Sequence, residues 1–321
     1  MTLNVLRRTI LKEFGSVEQF YQTQSTESHQ NTPDVYREPA ILSGYRIPDK
    51  SWRYYTVSIF HLHNETINIW THIIATLVFI NRLVHILEIY DVESECGILP
   101  LAVFCACAAA NSFLSAFAHT FQSMSPFCHY ICFHFDYVGV GIYALCQCIL
   151  FMYISCPDAI FEYLSMASLP LNVVLSLFVM LGGSLSKILY RRPYPFKRRL
   201  VQIGSGCIHA SFSCIPLITR LAYCINTTDC NNTHHFPWMV SMAVCLFFFS
   251  SHLPEKLAPG KFDFMGMSHQ WFHVFQTLTV LLQMNAARED LRNNVSSIWS
   301  CHHVSSYHLV LPSCFMLSGV S

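Results

Sequence analysis

Seven apolar stretches occupy about half of this 321-residue chain. A helix needs about 20 apolar residues to cross the hydrocarbon core of a bilayer. We therefore predict spans at 70–90, 98–121, 131–154, 163–186, 200–223, 237–253 and 268–286. Only 12% of the residues are charged, whereas a soluble domain carries about a quarter. The sequence predicts an all-α membrane protein, a seven-transmembrane helix bundle, with a possible incomplete eighth hydrophobic segment around 307–320.

The predicted bundle is flanked by two polar regions. Residues 1–69 form an N-terminal segment in which Trp52, Tyr54, Tyr55 and Phe60 suit an interfacial helix. The bundle occupies 70–289, and 290–321 is a tail. No secretory signal peptide is expected, since the first long apolar run begins near Trp70. The zero net charge gives no global field that would attract nucleic acid.

Lysine and arginine set the predicted orientation, because they concentrate in cytoplasmic loops. They are frequent in the N-terminal segment, in the run from Lys187 to Arg199 and in the loop after the sixth span. With seven spans, these regions share one side, so the N-terminus is expected in the cytoplasm and the tail outside. The sequons of Asn226, Asn231 and Asn294 then lie outside as candidate glycosylation sites, and Asn64 is expected to stay unmodified.

The cysteines are mostly expected to be packing residues. Those within apolar runs are Cys105, Cys107, Cys146, Cys148, Cys207, Cys214 and Cys245, and a thiol there behaves as a small apolar group. Cys224 and Cys230 flank a polar loop and could pair in an oxidising compartment.

Ionisable side chains at membrane depth are costly and usually functional. His119 ends the second span, while His269 and His273 lie four residues apart at the start of the seventh. The predicted topology places all three at the cytoplasmic end, where they could bind one Zn²⁺. Three histidines leave an open position, which is typical of a catalytic zinc site. A purely structural zinc and ordinary buried histidines are the alternatives.

Further polar residues are predicted in the same layer. Asp136 could hold a zinc-bound water, and Ser115, four residues before His119, could form hydrogen bonds around the site. The start of the first span adds Glu65, Asn68 and His72. Protease chemistry is disfavoured, because Gln270 occupies the position of the general-base Glu in zinc proteases.

The other histidines receive no functional role. We expect packing or interfacial positions for His129, His134 and His209, and incidental adjacency for the pairs His234–His235 and His302–His303. The RRPYPFKRR run most simply serves orientation and contact with anionic lipid. Contact with a cytoplasmic signalling protein is the weaker alternative.

Several sequence blocks together resemble the progestin and adipoQ receptor (PAQR) family, particularly its membrane progestin receptors. They are SGYRIPDKSWRYY, HNETINIWTH, SAFAH with Asp136, RRPYPFKRR, PEKLAPG and HQWFH. The resemblance covers roughly residues 34 to 289. It implies a seven-helix core with a cytoplasmic N-terminus, zinc on His119, His269 and His273, and matching roles for Ser115, Asp136, Glu65, Asn68 and His72. Progestin-type members usually carry an eighth span, to which the tail of this chain is a poor match.

Two functions follow from the resemblance. Members of the progestin branch are plasma-membrane receptors that bind progestin-like steroids and signal rapidly through inhibitory G proteins, including in oocyte maturation. Members of the wider superfamily are ceramide hydrolases, so the alternative is a zinc-dependent lipid amidohydrolase. The two are compatible, because a steroid could regulate hydrolysis. Composition alone only permits an apolar ligand.

Overall fold

The computed structural model describes residues 25–91, 97–190, 195–224 and 233–293, and these residues form nine α-helices. The helices are α1 (Trp52–Ser58), α2 (Thr66–Ile89), α3 (Ile98–Phe121), α4 (Pro126–Leu150), α5 (Asp158–Leu189), α6 (Phe196–Ser213), α7 (Ile215–Cys224), α8 (Phe236–Ser251) and α9 (Ser268–Arg292). A π-helical turn, Phe151–Ser155, continues α4, and 3₁₀ turns occur at Asp34–Tyr36 and Thr233–His235. A small antiparallel sheet pairs β1 (Thr26–Glu27) with β2 (Tyr45–Arg46).

Local sequence explains where the long helices begin. Ser125 precedes α4 and accepts a hydrogen bond from the backbone N–H of Cys128, while Pro126 occupies the first helical position, where a missing N–H costs nothing. Gly97 precedes α3 with φ at 84°. A Cβ at Gly97 would also collide with Leu291, so glycine allows the start of α3 to approach the end of α9.

Four helical segments in the described part of the chain are long and apolar enough to cross a membrane. They are Thr66–Ile89, Ile98–Phe121, Pro126–Ser155 and Ile160–Leu189. A fifth is obtained if Lys197–Ser213 and Ile215–Ala222, which meet at a bend of 46°, form one broken span. The bend falls just before Pro216, which the sequence placed inside a continuous fifth span. An α-helical bundle with several apolar spans is confirmed, while the count of seven stays a prediction.

The last two predicted spans are not among these segments, for two physical reasons that concern length and apolarity. Helix α8 has 16 residues and is therefore about 24 Å long at 1.5 Å per residue, shorter than a typical hydrocarbon core of about 30 Å. Helix α9 is long enough but carries polar residues such as Gln270, Gln283 and Asp290, which are buried inside the bundle. Polar groups can be tolerated there because they face protein rather than lipid.

Polar contacts also link the interior of the central helices. Asn172 of α5 donates to the carbonyl of Leu145 at 2.9 Å, and its side-chain oxygen lies 3.0 Å from His209 Nε2. Tyr143 donates to Gln283 Oε1 at 2.7 Å. The larger apolar core includes Tyr143 itself together with Phe104 and Phe151. His209 therefore has the packing role that the sequence predicts.

The N-terminal segment packs on one end of the bundle. Tyr55 is fully buried, and its hydroxyl donates to the carbonyls of Ile47 and Ser123. Trp52 and Phe60 are exposed. Arg46 is 3% exposed, and its guanidinium donates at 2.6 Å to the carbonyls of both His119 and Thr120. These carbonyls belong to the last turn of α3, where no intrahelical donor is available.

The loop before α9 meets the same segment. Asp263 accepts hydrogen bonds from the backbone N–H of Leu42 at 3.0 Å and from Ser43 Oγ at 2.6 Å. Gly44 has φ at 84°, and a Cβ there would lie 2.9 Å from the ring of Phe264. Residues 25–65 and 252–267 together therefore cover this end, which we call the His119 end. The opposite end, where α9 finishes, is called the Asp290 end.

Two sequence expectations need correction. Cys207 is exposed and so does not pack inside the bundle, unlike Cys105, Cys146, Cys148 and Cys245, which are buried. The sequence predicts Lys187 in a charged loop, yet it lies within α5, is 6% exposed and places its ammonium 3.6 Å from the ring centroid of Phe133. The predicted sites Asn226, Asn231, Asn294, Cys230, His302 and His303 lie outside the described residues.

Replacing Arg46 tests how much the N-terminal segment stabilises the bundle. We expect Arg46→Met to lower the apparent melting temperature of the purified protein by about 5–10 °C, because the charged donor is lost and buried carbonyls are left unpaired. Thermal unfolding in detergent micelles measures this. Arg292→Met is the control, since its side chain is 78% exposed; an equal shift in both variants would contradict the role of Arg46.

Candidate metal centre

Three helix ends meet at the His119 end. His119 lies in the last turn of α3, and His269 and His273 lie in the first two turns of α9. Helix α2 begins beside them with Asn68 and His72 in its first two turns. The described part of the chain places His119, His269 and His273 close enough to hold one metal ion. His119 and His273 are buried, and His269 is half-buried.

The three imidazoles approach through the same ring atom. His269 Nε2 lies 3.4 Å from His119 Nε2 and 3.1 Å from His273 Nε2. Two Zn–N bonds of about 2.0–2.1 Å at a tetrahedral angle hold their nitrogens about 3.3 Å apart. The spacing therefore fits two edges of a tetrahedral zinc site.

The other nitrogen of His119 faces a carboxylate. His119 Nδ1 lies 2.8 Å from Glu65 Oε2, so its N–H donates to that oxygen. Glu65 also accepts from Asn68 Nδ2 and Gln122 Nε2, each at 2.8 Å. Burial alone raises the pKa of Glu65, but His119 and the neighbouring donors outweigh it and hold the pKa well below its usual range. Ionised Glu65 leaves the Nε2 lone pair of His119 free for a metal.

His273 has a similar arrangement on α2. Its Nδ1 lies 3.2 Å from Thr71 Oγ1, whose own proton is directed to the carbonyls of Ile67 and Asn68, so the N–H of Nδ1 donates to this hydroxyl. Its Nε2 therefore also carries a lone pair towards His269. A neutral His269 has at most one proton at Nε2, so it can satisfy only one of its two neighbours. A cation among the three nitrogens would satisfy all of them, and in this respect the residues fit zinc.

His72 completes the wall of the site. Its ring centroid is 4.0 Å from that of His273, and its Nδ1 has no hydrogen-bond partner among the described residues. His72 does not lie within ligand reach of the other three as placed. It is a fourth buried imidazole beside the predicted centre.

Asp136 and Ser115 lie on the neighbouring faces of α4 and α3. Ser115 is hydrogen-bonded to the carboxyl of Asp136, which interacts electrostatically with His119 and Lys187. Lys187 thus provides a buried cation near this carboxyl. The suggested function of Asp136 in holding a water stays a prediction.

The loop before α9 orients its two histidines. Glu255, in the PEKLAPG motif, accepts from the backbone N–H of Ser268 at 2.7 Å and also from the Ser268 hydroxyl. A carboxylate is favourable at a helix N-terminus. Gln270 accepts from the N–H of Gly266 at 2.6 Å and donates to the carbonyl of Phe264 at 3.0 Å. Gln270 is therefore engaged in holding the loop.

A second group of ionisable side chains lies at the Asp290 end. Asp290 Oδ1 lies 2.7 Å from Arg220 Nη1 and 2.6 Å from His234 Nε2. Asp290 Oδ2 lies 2.9 Å from His235 Nε2 and 2.5 Å from Ser155 Oγ. The expectation that His234 and His235 are incidentally adjacent is wrong, because both bind one buried carboxylate.

His234, His235 and Asp290 are also close enough to hold a metal, but their hydrogen bonds oppose it. Trp238 Nε1 donates to His235 Nδ1 at 3.0 Å. Nδ1 must then be unprotonated, so the ring proton lies on Nε2 and points to Asp290. A neutral imidazole that binds metal through Nε2 needs its proton on Nδ1. The geometry favours a hydrogen-bonded carboxylate over a metal site.

The structure brings most of the predicted residues together. His119, His269 and His273 converge, with Glu65, Asn68 and His72 beside them and Asp136 and Ser115 adjacent. Sequence reasoning missed Arg46, Thr71, Gln122 and Lys187 at this end. Gln122 had a signal, since it lies three residues after His119 and so shares its helix face.

The family model for haemolysin-III related proteins matches residues 60–284. The chain is also similar to curated membrane progestin receptors. It is 30% identical to the human beta type over 92% of this chain and 84% of the relative. It is 32% identical to the zebrafish (Danio rerio) gamma-B type over 91% and 89%, and 33% identical to the mouse gamma type over 79% and 78%. These identities do not separate the receptor types.

Metal content tests the centre directly. We expect the purified chain to carry one Zn²⁺ and the His269→Ala/His273→Ala variant to carry none, since a single remaining imidazole binds zinc weakly. Glu65→Gln should lower zinc affinity about 10–100-fold by weakening the bond to His119 Nδ1. Elemental analysis after dialysis against a chelator measures both.

A matched variant at the other end provides the control. His234→Ala/His235→Ala removes two histidines as well, and we expect its zinc content to equal that of the wild type. Loss of zinc in this variant with retention in His269→Ala/His273→Ala would assign the metal to the Asp290 end and contradict the assignment.

Proposed function

Because the chain belongs to the haemolysin-III related family, and within it to the PAQR membrane receptors, we propose that it is a plasma-membrane receptor for a progestin-like steroid. The observation that carries this proposal is the similarity to membrane progestin receptors over most of both chains. In this proposal an apolar ligand enters from the bilayer, and its binding is transmitted to the loops at the His119 end.

The proposed orientation places the N-terminus and the His119 end in the cytoplasm. It is supported by the lysine and arginine residues of the loops. The basic residues at this end would contact an inhibitory G protein, and binding of steroid would change that contact. The coupling itself rests on the family resemblance.

Zinc is proposed on His119, His269 and His273. It would join α3 to α9, while Glu65 links α3 to α2 and Thr71 of α2 lies 3.2 Å from His273 of α9. When bound, zinc supplies positive charge that can polarise a carbonyl and lower the pKa of water towards about 7. Asp136 and Ser115, hydrogen-bonded to each other beside His119, would orient a polar group of a ligand or a water molecule. The same residues would therefore suit either a structural zinc in a receptor or a catalytic zinc in a hydrolase.

Steroid binding to the purified chain is the direct test. We expect saturable binding of radiolabelled progesterone in nanodiscs, displaced by unlabelled progesterone and not by an equal concentration of cholesterol. His269→Ala/His273→Ala should weaken binding by disordering the helix ends, whereas His134→Ala, which replaces an exposed histidine, should not. Absence of saturable binding by the folded wild type would refute the steroid proposal.

The hydrolase alternative is supported by the Ser115–Asp136 pair beside His119, although the named relatives are receptors. Turnover of a ceramide by the wild type, lost in Asp136→Asn while zinc is retained, would favour it. Equal product formation by both proteins would exclude a catalytic role for Asp136, and absence of turnover by the wild type would leave zinc as a structural element.

A further inference from the structure

Two arginines face one cleft at the Asp290 end. Arg82 and His85 of α2 line it from one side, and Asn285 and Arg288 of α9 line it from the other. The floor is formed by buried Leu101 and Cys105 of α3. Arg82 lies inside the predicted first span, where sequence reasoning had overlooked it.

Neither arginine has an acidic partner in the described part of the chain. The nearest carboxylate along α9, Glu289, lies 3.3 Å from Arg292 instead. Both guanidinium groups are close enough to Cys105 to act on its thiol electrostatically. Two like charges therefore line one cleft with an apolar floor, and among the described residues no carboxylate lines that cleft, since Glu289 lines only the adjoining cavity.

The position of the cleft along the bundle matches a lipid headgroup. Arg82 lies 16 residues after Thr66, which is about 24 Å along α2, and Arg288 lies 20 residues after Ser268, about 30 Å along α9. The hydrocarbon core is about 30 Å thick. Both arginines are therefore near the far boundary of the core, where phosphates of the headgroups begin and long side chains reach them.

We propose that this cleft binds the phosphate of an anionic membrane lipid. Guanidinium groups bind phosphate oxygens in a bidentate manner, and His85 and Asn285 add donors. An adjoining cavity of about 520 Å³ is lined partly by Tyr90, Ile98, Leu101 and Leu291, which offer an apolar wall to an acyl chain. The inference requires the chain to lie in a bilayer but neither zinc nor a steroid.

Lipid retention tests the proposal. The full chain is placed in nanodiscs of phosphatidylcholine with about 10% phosphatidylserine, a probe whose anionic headgroups occupy both leaflets of the disc and so reach the Asp290 end in either orientation of the chain. After purification in mild detergent, the retained lipids are counted by mass spectrometry. We expect the wild type to retain phosphatidylserine well above its share in the nanodisc. This enrichment should be about tenfold smaller in Arg82→Gln/Arg288→Gln.

Lys256→Gln/Lys261→Gln is the matched control, because it removes the same charge from exposed positions at the His119 end. An equal loss of retained phosphatidylserine in both double variants would show that retention depends only on the overall charge of the protein, and it would overturn the proposal. Retention by the wild type at the bulk lipid ratio would overturn it without any variant. Displacement of the lipid by an equal concentration of inorganic phosphate would show a site for free phosphate instead. A melting temperature and an elution volume equal to those of the wild type establish that the variants are folded.

Discussion

The hydrogen bond between Glu65 and His119 is the interaction on which the His119 end depends. It orients the imidazole that α3 contributes, and Asn68 and Gln122 hold the same carboxylate from α2 and α3. The N-terminal segment acts on the same turn, because Arg46 binds the carbonyl of His119. One histidine therefore connects the first helices, the covering segment and the start of α9.

The two ends of the bundle contain similar histidine and carboxylate side chains, but the imidazole proton lies on a different ring nitrogen at each end. At the His119 end, a carboxylate accepts the Nδ1 proton and leaves Nε2 to other ligands. At the Asp290 end, the tryptophan donor at Nδ1 of His235 forces the proton onto Nε2, where Asp290 accepts it. Proximity of histidine and carboxylate groups is thus insufficient to identify a metal site, and the donor on the second nitrogen distinguishes the two.

The sequence predicts the histidine cluster well because two of its members are four residues apart and the third ends a span. It also predicts an α-helical membrane bundle, since long apolar runs allow few other folds. It does not predict the Asp290 cluster, in which Ser155, Arg220, His234 and Asp290 come from four separate elements. Burial of Arg46 and Lys187 is equally hidden, because a basic residue near a span is indistinguishable in sequence from one in a loop.

The saturation of Asp290 has a mechanical consequence. A carboxylate offers about four acceptor directions, and four donors from three other elements occupy them. Sliding of any one element would break a buried hydrogen bond at this end, so α9 is anchored there. A displacement of α9 that follows ligand binding should therefore be a swing about Asp290 with its largest amplitude at Ser268, where the helix meets the covering loops.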